Sequence, residues 1–183
     1  MDRRKALLLT AGVFGSALIG SELFLSGCTR KKEGTLLFSE ADSHFLDEVG
    51  EVILPETERS PGARAAGIGQ FMKVIVTDCY DEQEQRIFIK GIDQIDQLSK
   101  SIYGAGFLEL DASQKHALLL KLDNEARKQS DTTPPHFFRM MKELTLWGYF
   151  TSEPGATQAL RYLPIPGEYK GCIPYQTGDK AWF

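Results

Sequence analysis

Apolar positions recur at helical spacing over most of the chain, and their interruptions divide it into elements. Phe45, Leu46, Val49, Val52 and Ile53 form the first stripe. Ser39 precedes it as an N-cap, with Glu40 and Asp42 in the first turn, where acidic residues favour the helix dipole. Leu54-Pro55 ends this helix, and a polar loop runs to Gly62. Ala63 to Tyr80 reads as a second helix. A strand is the alternative for Val74-Ile75-Val76, but the Ala-rich turns before it and the total length favour helix. Asp81 caps a third helix, with Glu82 and Glu84 near its start and Ile87, Phe88, Ile92, Ile95 and Leu98 on one face. After the loop Tyr103-Gly104-Ala105-Gly106, Asp111 and Gln114 make a capping-box pattern for a fourth helix, with Leu118, Leu119 and Leu122 inward. Ser130 to Thr133 is polar, and Pro134-Pro135 starts a fifth helix that is rich in Phe, Met, Leu and Trp as far as Phe150. Regular strands are hard to find. The expected fold is therefore all-α, a single-domain bundle of about five helices.

Thr151-Ser152-Glu153-Pro154-Gly155 breaks the last helix, and residues 152–183 read as an irregular arm rich in Pro, Gly and aromatics. Proline lacks a donor and glycine favours turns, so the arm has little regular hydrogen bonding open to it. Tyr162, Leu163, Tyr169 and Tyr175 nevertheless need a surface to lie on, which makes them candidates for a partner interface. Trp147, Tyr149 and Phe150 suit a core more often than an interface, and are candidates for either.

The amino-terminal 27 residues have a different character. Asp2-Arg3-Arg4-Lys5 precedes an apolar run from Ala6 to Leu25 that ends at Ser26-Gly27-Cys28, the pattern of an export signal. Three glycines and Glu22 inside the run argue against a retained spanning helix, since a charge at a helix centre costs about 2.5–3.5 kcal/mol. Arg3-Arg4 looks like a twin-arginine signal, the route for folded proteins, and Leu25-Ser26-Gly27-Cys28 like a bacterial lipoprotein box. On that reading Cys28 carries the lipid and becomes the first residue, residues 28–38 are a tether, and residues 39–183 are the domain of a periplasmic, membrane-anchored lipoprotein.

Charge and composition narrow the function. The net charge is −4, and removal of residues 1–27 takes it to about −5. That disfavours nucleic acid, because phosphate binding needs clustered Lys and Arg. Arg30-Lys31-Lys32 is the one basic cluster, beside the proposed lipid, and reads as a solvated linker or a contact to anionic head groups. His44, His116 and His136 are isolated, with no metal-ligand spacing, and no haem-attachment motif exists. Gly67-Ile68-Gly69 and Gly104-Ala105-Gly106 are too short for dinucleotide fingerprints. Asp93, Asp96, Asp123 and Glu125 sit where a solvated helix face would have them. No catalytic, cofactor or metal residues are assigned to this chain. For Cys79 and Cys172 three arrangements stay open: a disulfide between them, a bridge from Cys172 to a partner, or two free thiols.

Several segments also carry a resemblance. Gly148-Tyr149-Phe150-Thr151-Ser152-Glu153, Tyr162-Leu163-Pro164-Ile165-Pro166-Gly167 and Gly171-Cys172 resemble the gluconate 2-dehydrogenase subunit 3 family. Ile53-Leu54-Pro55-Glu56-Thr57, Pro61-Gly62-Ala63 and Ala65-Ala66-Gly67 are similar to its N-terminal pattern. The resemblance implies a non-catalytic small subunit of a periplasmic dehydrogenase acting on sugars or sugar acids. It further implies FAD on a large partner subunit of the glucose-methanol-choline type and haem on a cytochrome c partner. Cys172, in the Gly-Cys segment, joins the interface candidates on this reading. The competing expectations are a free-standing periplasmic lipoprotein that binds a ligand or scaffolds an envelope complex, and an enzyme in its own right.

Overall fold

The structure, a computed structural model, describes residues 38–129, 134–165 and 167–183. The signal, Cys28 and most of the tether lie outside the described residues. The described part belongs to one compact unit. It contains five α-helices: α1 (Glu40–Ile53), α2 (Ile68–Cys79), α3 (Glu82–Tyr103), α4 (Ala112–Lys128) and α5 (Phe137–Thr151). Short 3₁₀ turns at Ala63–Ala66 and Phe107–Glu109 and a π-turn at Gly155–Ala159 complete it, with no strand among the described residues. The all-α bundle expected from the apolar periodicity is the fold.

Local chemistry sets the helix starts. Ser39, Asp81 and Asp111 each accept a hydrogen bond from the backbone N–H three residues on, and Asp42, Glu84 and Gln114 reach back to the cap N–H. Each box satisfies two of the donors that a helix start leaves unpaired. Two boundaries differ from expectation. The single helix expected over residues 63–80 is broken at Gly67, whose φ of +64° is left-handed and turns the 3₁₀ segment away from α2. The fifth helix does not begin on the Pro134-Pro135 pair. It begins after His136, whose ring nitrogen Nδ1 accepts from Phe138 N at 3.2 Å and serves as the cap.

The core explains why α5 is so apolar. It packs against α1, α2, α3 and α4, and shares with α1 the property of meeting all four other helices. Phe137, Phe138, Met140, Met141, Leu144 and Tyr149 are all buried, facing Leu46 and Val49 of α1, Met72 and Val76 of α2, Phe88 and Ile95 of α3, and Leu118 and Leu122 of α4. A helix covered on most sides cannot show a narrow stripe. Even the buried Thr145 hydroxyl is satisfied, donating to Met141 O at 2.8 Å.

Candidate partner interface

Charged residues on the body are engaged with one another. Glu48 pairs with Lys115 at 3.0 Å and Arg64 at 2.7 Å, joining α1 to α4 and to the first 3₁₀ turn. Glu51 accepts from the backbone of Glu56 and Arg64, both at 2.9 Å, and so holds the loop after α1. Asp96 and Asp123, expected on solvated faces, are tied instead. Asp96 accepts from Lys100 Nζ at 2.6 Å and from Phe107 N at 3.0 Å, and these partners hold its carboxyl below the usual carboxylate range. Burial pushes the Asp123 carboxyl up, but Lys142 at 2.6 Å and Arg127 at 2.8 Å outweigh it and leave the net shift downward. The groove of about 330 Å³ between α4 and α5 is lined by these same groups with Arg139 and Glu143, themselves a pair at 2.8 Å. Its charges face opposite charges. His44 and His116 are exposed and His136 is a helix cap, the surface and helix-end placements expected. Among the described residues no three of His, Cys, Asp and Glu are grouped to hold a metal.

The aromatics sort differently from the ion pairs. On α5 the three neighbours part company. Tyr149 is 3% exposed and its hydroxyl donates to Pro61 O at 2.5 Å, so it belongs to the core and pins the loop before Ala63. It is therefore not an exposed interface residue, a correction of its candidacy. Phe150 is half-buried, edge-on to Tyr149 at 5.2 Å. Trp147 is 54% exposed and rests edge-on against Phe71 of α2 at 5.4 Å, leaving one face of the indole outward.

Beyond α5 the chain does not simply fray. Ser152 Oγ donates to Tyr149 O at 2.6 Å and accepts from Gly155 N at 3.2 Å, which leads the backbone into the π-turn. That turn closes with Leu160 N to Gly155 O at 2.9 Å. From residue 161 to 183 every described residue is exposed. Tyr162, Leu163, Tyr169, Cys172 and Tyr175 are thus all outside the core, with Tyr169 at 92% and Tyr175 at 76% exposure. Ile165, Ile173, Trp182 and Phe183 stand out with them. Cys79 and Cys172 are both free and exposed, so no bridge joins them.

Apolar stripes that bury one another, beside an aromatic segment left in solvent, define a small helical domain whose longest continuous run of exposed apolar residues lies in one arm. The family model for gluconate 2-dehydrogenase subunit 3 matches residues 40–167, and the chain belongs to that family. The matched span runs from the start of α1 into the arm; Tyr169, Gly171-Cys172 and Tyr175 lie beyond it. The chain finds no match among curated proteins or among solved structures. No helix of the described residues is long and apolar enough to cross a membrane.

Proposed function

We propose that this chain is the non-catalytic small subunit of a flavin-dependent sugar or sugar-acid dehydrogenase of the glucose-methanol-choline type. It covers part of the large subunit's surface with its arm, accompanies that subunit through export, and holds it at the membrane through lipid on Cys28. FAD belongs to the large subunit and haem to a cytochrome c partner, so the redox chemistry lies outside this chain. The observation that carries this reading is the arm. Tyr162, Leu163, Ile165, Tyr169, Ile173 and Tyr175 stand in solvent one after another along the arm, whereas the exposed apolar residues of the body, such as Val74, Ile102, Leu120 and Trp147, are spread over different helices. Aromatic anchors on an ordered segment are what a lasting interface uses. The twin-arginine pattern at Arg3-Arg4 fits the same picture, because a flavoprotein loaded in the cytoplasm must be exported folded.

Expressing the large subunit with and without this chain tests the proposal. Without it, exported and soluble flavoprotein should fall to near background. With Cys28→Ser, the complex should form but leave the membrane fraction. Undiminished export and solubility of the flavoprotein on its own would defeat the escort role.

A further inference from the structure

The arm leaves the body at Leu160 and its far end returns to the same place. Arg161 N donates to Ala181 O at 2.7 Å and Phe183 N donates to Arg161 O at 3.3 Å, pairing residues 161 and 182 as a single parallel bridge. The Arg161 guanidinium lies 4.1 Å from the centre of the Trp182 ring. Tyr162 meets Phe183 edge to face at 5.7 Å. Lys180 Nζ donates to the carbonyl of Gln158, in the π-turn. Near the returning end, Gln176 N donates to Asp179 Oδ2 at 2.8 Å and Asp179 N to Gln176 O at 3.0 Å, forming a turn. Between these ends, among the described residues, no hydrogen bond holds residues 162–175. Among the described residues, the hydrogen bonds that close this loop therefore lie at its base.

We infer that residues 181–183 are a clasp that presents residues 162–178 as one preformed loop, shaped to enter an apolar cleft of the large subunit. This rests on the docking role proposed above and adds how the docking surface is made. Glu168 and Lys170 are the only charged residues from Tyr162 to Gly178, and they cancel. A neutral, aromatic loop suits an apolar protein surface, whereas a phosphate-bearing partner needs clustered cations. A tail tied at one end must be ordered when it binds, which subtracts from affinity; tying its second end moves that cost into folding. Trp182 is a positioning residue in this scheme. Its ring holds the Arg161 guanidinium by a cation–π contact, and the loop in between makes the interface.

Affinity between the full chain and the isolated large subunit decides the matter, read together with the chain's own melting temperature. W182A, R161A and deletion of Trp182-Phe183 should each weaken binding by about ten- to a hundredfold, the scale of an added ordering cost. Melting should move by no more than a few degrees, because the clasp is part of the folded state but lies outside the buried core. W182F keeps a ring for the guanidinium and should bind within about threefold of wild type. Y175A, in the loop itself, should weaken binding while leaving the clasp intact. If Y175A weakens binding but W182A, R161A and the deletion do not, the clasp is refuted and docking by the arm stands. If all of them bind like wild type, the docking reading itself fails. If W182F is as weak as W182A while R161A is silent, Trp182 is a contact and not a clasp.

Discussion

Gly69 shows how much of the packing turns on a missing methyl group. A Cβ there would lie 2.0 Å from the carbonyl oxygen of Ser43, and its own N–H donates to Asp47 Oδ1 at 2.7 Å. Helices α1 and α2 meet at that point, backbone against backbone. Gly69→Ala should force them apart and cost about 1–3 kcal/mol, as overpacking does. The urea midpoint should drop with the slope unchanged; an unchanged midpoint would mean that the contact relaxes freely. The sequence set Gly67-Ile68-Gly69 aside as too short for a dinucleotide fingerprint without saying what either glycine does. The structure divides the roles, Gly67 for its left-handed turn and Gly69 for the close approach. Nothing near position 69 could have announced this, because Ser43 and Asp47 lie on another helix. The same limit applied to Trp147, Tyr149 and Phe150. Neighbouring residues point to different sides of a helix, and only the position of Pro61 decides that Tyr149 is the buried one.

Among the elements, α5 has the least usual start. Its cap is a neutral imidazole nitrogen, and His136 also stacks on Phe137 with ring centres 4.5 Å apart. Burial lowers the pKa of His136 below its ordinary value, against an opposing pull from Glu125. A histidine with a depressed folded-state pKa takes up its proton more readily when unfolded, so the unfolded chain binds more protons as acidity rises. The stabilisation is full above the ordinary histidine range and is lost as pH falls through the folded-state value. Unfolding midpoints should therefore decline from about pH 7.5 towards pH 5, in the window where histidine titrates. His136→Asn, which keeps a capping oxygen without the titration, should flatten that decline; an equal slope in both proteins would remove His136 as its source. Helix starts were the most legible feature of this chain, because Ser39, Asp81 and Asp111 cap with their own side chains within one turn. The start of α5 was displaced by two residues in the sequence reading, since a capping histidine has no such signature and a proline pair does.

For the molecule as a whole, the bundle was readable from periodicity, while the arm was readable only as a surplus of aromatics. Pro and Gly announced that residues 152–183 would lack regular structure, which the π-turn at Gly155–Ala159 contradicts near its start, and the tyrosines that they would need a surface. That Arg161 and Trp182 find each other across the loop has no local pattern behind it. The hub position of α5 was likewise hidden, although its breadth of apolar residues hinted at it. A chain stopped after Gln129 keeps α1 to α4 and loses a helix that packs on all four. It should retain helical far-ultraviolet dichroism, lose near-ultraviolet signal and bind a hydrophobic dye; a cooperative melt from that fragment would show that the four helices suffice. Because α5 follows α1 to α4 in the chain, their apolar faces are made before the helix that covers part of each. Until then the apolar half-faces of α1 to α4 stand uncovered, the state in which a nascent chain is open to aggregation and to capture by chaperones.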